Sequence, residues 1–252
     1  MGFVALPQSE PGRLWRVDLD HDPAPEGLAM LSDDEWARAR RFAFERDRRR
    51  FLAAHAALRQ VLSQHTDLPG ASLSFVHGRF GKPTLEGPAG GVRFNLTHSG
   101  PIALIAFHPN AEVGVDVEQL RPMPDAATLA EAHFTASECA ALAALAGEAR
   151  DHAFLQGWTR KEACLKAIGT GLGVDTRSFE VGIGCEARDV AMPASLGGQQ
   201  IALSSFSLGA SALGAIATVG APVMSAGTVA PAATAPLAVA ARVAPHGHPL
   251  CA

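Results

Sequence analysis

Hydrophobic and polar positions divide this chain into alternating helical and extended segments. Between residues 46 and 64, apolar side chains recur at Phe51, Ala54, Leu58, Val61 and Leu62, the spacing that lines one face of a helix. A second helix should begin upstream, because Ser32-Asp33-Asp34-Glu35 has the form of a capping box, with Ser32 as N-cap and Glu35 reaching back to it. Short strands are expected over residues 14–19, 72–76, 92–97 and 102–107, punctuated by glycine and proline turns.

The plan then repeats. A strand is expected over residues 113–117, helices over 137–145 and 152–168, and strands near Phe179 and over 201–208. The run Ser99-Gly100-Pro101-Ile102-Ala103-Leu104-Ile105-Ala106 is similar in composition and position to residues 207–217. The expected fold class is therefore α+β, two similar halves over residues 1–109 and 110–220, joined near Pro109-Asn110. Residues 221–252 are mostly Ala, Pro, Val and Gly with one charge, Arg242, and read as a flexible tail. His246 and His248 lie there without further ligands nearby and read as solvated.

Composition narrows the partners. A net charge of −4 gives no global attraction to nucleic acid or to an anionic membrane, so any anion site must be local. Cys139, Cys164, Cys185 and Cys251 form neither a CxxC pair nor a dense framework and read as reduced thiols of a cytoplasmic protein. The first thirty residues lack the basic start and apolar run of a signal peptide, and no window is apolar enough to suggest a spanning helix.

Candidate chemistry gathers in the second half. In Gly114-Val115-Asp116-Val117-Glu118, strand alternation points Asp116 and Glu118 one way and the valines into a core. In Trp158-Thr159-Arg160-Lys161-Glu162-Ala163-Cys164-Leu165-Lys166, Glu162 and Lys166 share a helix face. Three carboxylates and an ammonium suit a hard cation acting on a phosphate. Each pair also has a plain structural reading, as the wet face of an edge strand or as an ordinary i,i+4 helix pair. Gly169-Thr170-Gly171-Leu172-Gly173 lacks the strand and lysine of a phosphate loop and reads as helix stop and turn.

These two motifs follow Gly81-Lys82-Pro83 and Phe94-Asn95-Leu96-Thr97-His98-Ser99, with Arg40-Arg41-Phe42-Ala43-Phe44-Glu45-Arg46-Asp47 earlier. In this order, over residues 38–172, the blocks resemble the Sfp-type 4′-phosphopantetheinyl transferases. The resemblance implies two similar halves with pseudo-twofold symmetry and an active site in the cleft between them. It implies transfer of the phosphopantetheine arm of coenzyme A, the co-substrate, to a serine of an apo acyl or peptidyl carrier protein, with release of adenosine 3′,5′-bisphosphate.

By the same resemblance, Asp116, Glu118 and Glu162 are the metal positions, for Mg²⁺ or alternatively Mn²⁺, and Asp116, Glu162 and Lys166 are catalytic. Glu162 is either a ligand with base function or the base itself, and Lys166 would stabilise the scissile phosphates. Arg38 and His98 are expected at the 3′-phosphate, Gly81 and Lys82 at the nucleotide, and Asn95, Thr97, Lys161 and Lys166 elsewhere along the coenzyme. Thr97 stands where the family more usually has serine and keeps the hydroxyl; Arg50 is a weaker basic candidate. Carrier docking is expected at Leu120, Arg121 and Met123 and along residues 134–145. A monomer is expected, because two halves in one chain supply the cleft. Two rival readings share these residues: another Mg²⁺-dependent nucleotide phosphotransferase or phosphatase, and a non-catalytic carrier-binding module.

Overall fold

The computed structural model describes residues 3–5, 14–171 and 173–220. The expected tail, with His246, His248 and Cys251, lies outside the described residues. The first half carries β1 (Phe3–Ala5), β2 (Leu14–Asp18), α1 (Pro25–Leu28), α2 (Asp33–Ala39), α3 (Glu45–Thr66), β3 (Phe75–His77), β4 (Pro83–Leu85), β5 (Arg93–Ser99) and β6 (Ile102–His108). The second carries β7 (Val113–Gln119), α4 (Ala126–His133), α5 (Ala136–Ala143), α6 (Gly147–Ile168), β8 (Arg188–Ala191), β9 (Gln200–Ser207) and β10 (Ala212–Val219).

Two antiparallel sheets run β1-β2-β6-β5 and β7-β10-β9-β8. The run β2-β6-β5 has the same connectivity as β7-β10-β9, and α3 and α6 are both 22 residues long, so the fold is α+β with an internal duplication. The duplication extends to polar anchors. Ser32 caps α2, and Glu35 answers it while accepting from Arg59 of α3; Thr135 caps α5, and Glu138 answers it while pairing with Lys161 of α6. Both glutamates stand three residues after their caps, and both cations are the fifteenth residue of their helix.

Period-two alternation explains why β6 is apolar throughout. Ala103, Ile105 and Phe107 pack under α3 with Trp15 and Val17, whereas Ile102, Leu104 and Ala106 face the other half with Leu14. On β7, Val113, Val115 and Val117 join that second cluster, as the alternation predicted. The opposite face of β7 carries Gly114, Asp116 and Glu118 toward α6. A Cβ on Gly114 would stand 2.1 Å from the Ala163 carbonyl oxygen and 2.3 Å from the Ala167 nitrogen. Helix and strand thus touch backbone to backbone, which glycine alone permits.

Several expected elements shift. The strand expected over residues 72–76 is displaced to β3, after a 3-10 turn at Gly70–Ser72. No strand forms at Phe179, because side chains use the backbone there. Arg160 Nε donates to the Val181 carbonyl, Lys161 Nζ to that of Phe179, and the Val181 and Gly182 N–H groups donate to Glu138. Gly169, at φ 74°, ends α6 in the left-handed conformation, as a helix stop should. Gly114→Ala is expected to cost about 3 kcal/mol or more, because the clash is with backbone that cannot rotate away; a denaturant midpoint unchanged from the parent would refute this packing.

Candidate active site

The outer strands β5 and β7 of the two sheets lie side by side, and residue numbers rise together along them. Asn95 Oδ1 accepts from the Val115 N–H at 2.9 Å, Thr97 Oγ1 donates to Asp116 Oδ1 at 3.1 Å, and Ser99 Oγ donates to Glu118 Oε2 at 3.1 Å. Ser99 Oγ also accepts from the Gln119 N–H. Alternate residues of β5 therefore form side-chain rungs across the junction of the halves. This period-two polar face, Asn95-x-Thr97-x-Ser99, was the signal in the sequence for the seam.

At the middle rung the chemistry converges. Lys166 Nζ, from the last turn of α6, lies 2.6 Å from Asp116 Oδ1 and 3.0 Å from Thr97 Oγ1. Asp116 is only 5% exposed, not the solvent-facing carboxylate that an edge strand would offer. Burial pushes its pKa up, the Lys166 charge and hydrogen bond pull it down, and Glu118 pushes it up again. Glu162, one turn before Lys166, is raised to about 7, first by burial and then by the charges of Asp116 and Glu118, against Lys166. Glu118 is tied to Ser99 and to Arg121, whose guanidinium lies 2.8 Å from Oε2.

Do these groups suit a metal? Among the described residues no three ligating side chains are gathered into a ready-made cluster. Yet Asp116 Oδ2 is buried without a hydrogen-bond partner among them, and the nearby donors are carboxylate oxygens. Such a set fits a hard cation that takes one or two protein carboxylates and completes its shell from phosphate and water.

A groove of about 1100 Å³ opens in the first half, lined by Arg38, Arg46, Arg50, Gly81 and His98 and by the carboxylates Asp34, Glu35 and Asp47. Arg38 is exposed on the last turn of α2, its guanidinium 5.3 Å from the Phe51 ring centre. Arg50 Nη2 pairs with Asp20 at 2.7 Å. The His98 ring is open to the groove, on the strand face opposite Thr97; partial desolvation by the groove walls and then the Lys166 charge lower its pKa. Gly81 has φ 83°, a turn conformation that favours glycine.

Three of the residues expected at the coenzyme have side chains engaged elsewhere. Lys161 is 1% exposed, its ammonium held by Glu138, the Thr176 and Phe179 carbonyls and the Phe179 ring on another face of α6. Asn95 is buried and spends its Oδ1 on the Val115 N–H. Lys82 turns from the groove toward the second half, bonding Glu112 and the Val113 and Ala167 carbonyls. Of the expected docking surface, Phe134 and Leu142 are core residues, and Leu120 and Met123 pack against that core. Leu145 is exposed.

Glu35 braces the groove wall. Its Oε2 accepts from the Ser32 N–H and from Arg59 Nε, and its Oε1 lies 2.8 Å from His55 Nδ1. Arg59 also donates to the Gly70 and Leu73 carbonyls. Sequence alone marked Glu35 as a cap and missed this second task, because its partner lies 24 residues away on another helix.

A lysine–carboxylate pair, Asp116 buried and Lys166 half-buried, thus stands at the seam of a duplicated α+β fold, beside a groove lined by arginines and carboxylates. The comparisons narrow the class. Residues 24–110 match the family model described as 4′-phosphopantetheinyl transferase, N-terminal, and residues 112–191 that of the 4′-phosphopantetheinyl transferase superfamily. The chain is 38% identical over 168 residues to the 4′-phosphopantetheinyl transferase HetI of Nostoc, covering 65% of this chain and 71% of HetI. It is also 38% identical to a putative 4′-phosphopantetheinyl transferase of Synechocystis, over 66% of this chain and 67% of the relative. Identity to Sfp of Bacillus subtilis is 27%, over 61% of this chain and 67% of Sfp. The chain belongs to the 4′-phosphopantetheinyl transferase family.

The brace has a measurable pH signature. Burial alone would raise the Glu35 pKa, but the His55 hydrogen bond, the Ser32 N–H and the Arg59 charge outweigh it and lower it from 4.5 to about 2. A carboxylate depressed in this way stabilises the fold above its unfolded pKa and loses that contribution as pH falls through the folded value. Glu35→Gln should therefore cost on the order of 3 kcal/mol at neutral pH, and the gap to the parent should close between pH 4.5 and 2. Urea unfolding of both proteins across that range checks it; a gap independent of pH would contradict the assignment.

Proposed function

We propose that this chain transfers the 4′-phosphopantetheine arm of coenzyme A to a serine hydroxyl of an apo carrier protein. The observation that carries the reading is the continuity of the two sites. His98 of β5 lines the groove with Arg38, while its neighbour Thr97 touches both Asp116 and Lys166. A ligand lying in the groove would bring its phosphates past one strand to the carboxylates.

In the reaction, the serine oxygen bonds to the phosphorus that bears the pantetheine arm. The bond from that phosphorus to the bridging pyrophosphate oxygen breaks, and adenosine 3′,5′-bisphosphate leaves with the electron pair. Arg38 and His98 hold the 3′-phosphate, and Gly81 lets the turn approach the nucleotide closely. Thr97 and Asp116 hold the Lys166 ammonium at the seam, where a fixed positive charge stabilises the charge developing on the phosphates. Glu162, whose carboxylate makes no hydrogen bond among the described residues, accepts the serine proton. Asp116 and Glu118, with Glu162 beside them, would hold Mg²⁺, which when bound neutralises phosphate charge.

The rival phosphotransferase or phosphatase would use the same carboxylates, but Arg38, which makes no ion pair among the described residues, and His98 in the same groove favour a ligand with an additional phosphate. Incubation with coenzyme A, Mg²⁺ and a panel of apo acyl and peptidyl carrier proteins should add one phosphopantetheine mass to a carrier. Absence of any adduct across the panel would sink the reading. Asp116→Asn should reduce transfer at least a hundredfold while coenzyme A still binds in equilibrium dialysis. Arg38→Ala should raise KM for coenzyme A about tenfold and narrow its advantage over dephospho-coenzyme A; an unchanged preference would remove Arg38 from the 3′-phosphate.

A further inference from the structure

We infer that Lys82 is a positioning residue, a clamp between the halves that fixes the carboxylates of β7 and the lysine of α6 against the coenzyme groove. The inference rests on the transferase reading and gives Lys82 a task different from nucleotide binding. The residue belongs to the turn between β3 and β4, whose neighbours Gly81 and Pro83 line the groove. Its ammonium, however, meets acceptors of the second half alone. Nζ lies 2.6 Å from Glu112 Oε2, 3.1 Å from the Val113 carbonyl and 2.9 Å from the Ala167 carbonyl.

Each acceptor has a place in the site. Val113 opens β7, three residues before Asp116. Ala167 is the penultimate residue of α6, one after Lys166, and its carbonyl is among the last four of the helix, which have no intrahelical donor. A cation there also suits the negative end of the helix dipole. Glu112 is gripped from the first half twice, by Lys82 and by Arg93 Nε at 2.7 Å from Oε1. One side chain therefore joins the groove wall, the strand of Asp116 and the helix of Lys166.

The stem of Lys82 is fitted as well. A Cβ on Gly169 would lie 3.4 Å from Lys82 Cδ, so the helix stop runs alongside the lysine methylenes. The side chain is 13% exposed and its three ammonium hydrogens match three acceptors, which leaves no donor for a phosphate. Because small displacements of positioned groups reduce turnover steeply, releasing the clamp should act on kcat.

The test is kinetic. Lys82→Met keeps the stem and removes the ammonium; Glu112→Gln removes its charged partner. With unaltered protein as reference, Lys82→Met should lower kcat for carrier modification about tenfold or more and leave KM for coenzyme A within about twofold. The preference for coenzyme A over dephospho-coenzyme A should not change. Glu112→Gln should shift kcat in the same direction, and the double variant should be no slower than the slower single variant, as for two residues acting as one unit. A raised KM with kcat intact, a lost preference for the 3′-phosphate, or parent-like kinetics in both single variants would overturn the clamp. If Lys82→Met is not recovered folded by circular dichroism, Glu112→Gln decides alone on the same split between kcat and KM. Failure of the unaltered chain to modify any carrier would instead count against the transferase reading, since it involves no change at Lys82.

Discussion

The site depends on how two sheet edges meet. An edge strand presents backbone groups that must find partners once they are covered, and β5 and β7 cover one another. At Asn95 and Ser99, side chains of β5 accept from β7 N–H groups, and at Thr97 and Ser99 hydroxyls donate to β7 carboxylates. The residues that close the seam are thus also the residues that place Asp116 and Glu118. Thr97 shows the coupling most directly, because a single hydroxyl touches both members of the Asp116–Lys166 pair. Removing the contact between halves would dismantle the site along with the interface.

Buried charge follows one rule in both halves. Glu35 with Arg59 and Glu138 with Lys161 each combine a capping box with a long-range cation, so a residue that starts one helix also anchors it to another. Every such carboxylate has several hydrogen bonds, which is what allows a charge to remain in a poorly solvated place. Asp116 departs from the rule. One of its oxygens is paired and the other has no partner among the described residues. The contrast separates charges that hold the fold from the charge that is left with unused capacity.

Much of this was legible in the chain. The heptad-like spacing of Phe51, Leu58 and Leu62 located α3, Ser32 and Glu35 located α2, and the alternation around Asp116 and Glu118 gave their shared face. Local periodicity could report these because each involves residues a few positions apart. The partners of Lys161, Asn95 and Lys82 were not legible, because their motifs do not say which way these side chains point. Lys161 and Glu162 are adjacent in sequence yet lie about 100° apart on a helix, enough to send one into the core and the other toward the seam. The strand expected at Phe179 failed for a related reason: its backbone partners are side chains of Glu138, Arg160 and Lys161, which no periodic pattern announces.

Gly114 has a wider consequence. Where two elements meet through side chains, rotamer changes can absorb small errors and let the contact breathe. Here the spacing between β7 and α6 is set by main-chain atoms in direct contact, with nothing between them that can turn. The spacing between the strand of Asp116 and the helix of Lys166 is accordingly set by the backbone, and the two side chains span what remains with a 2.6 Å ion pair. Any ligand of the site therefore meets a strand and a helix whose separation no side-chain rotation can change.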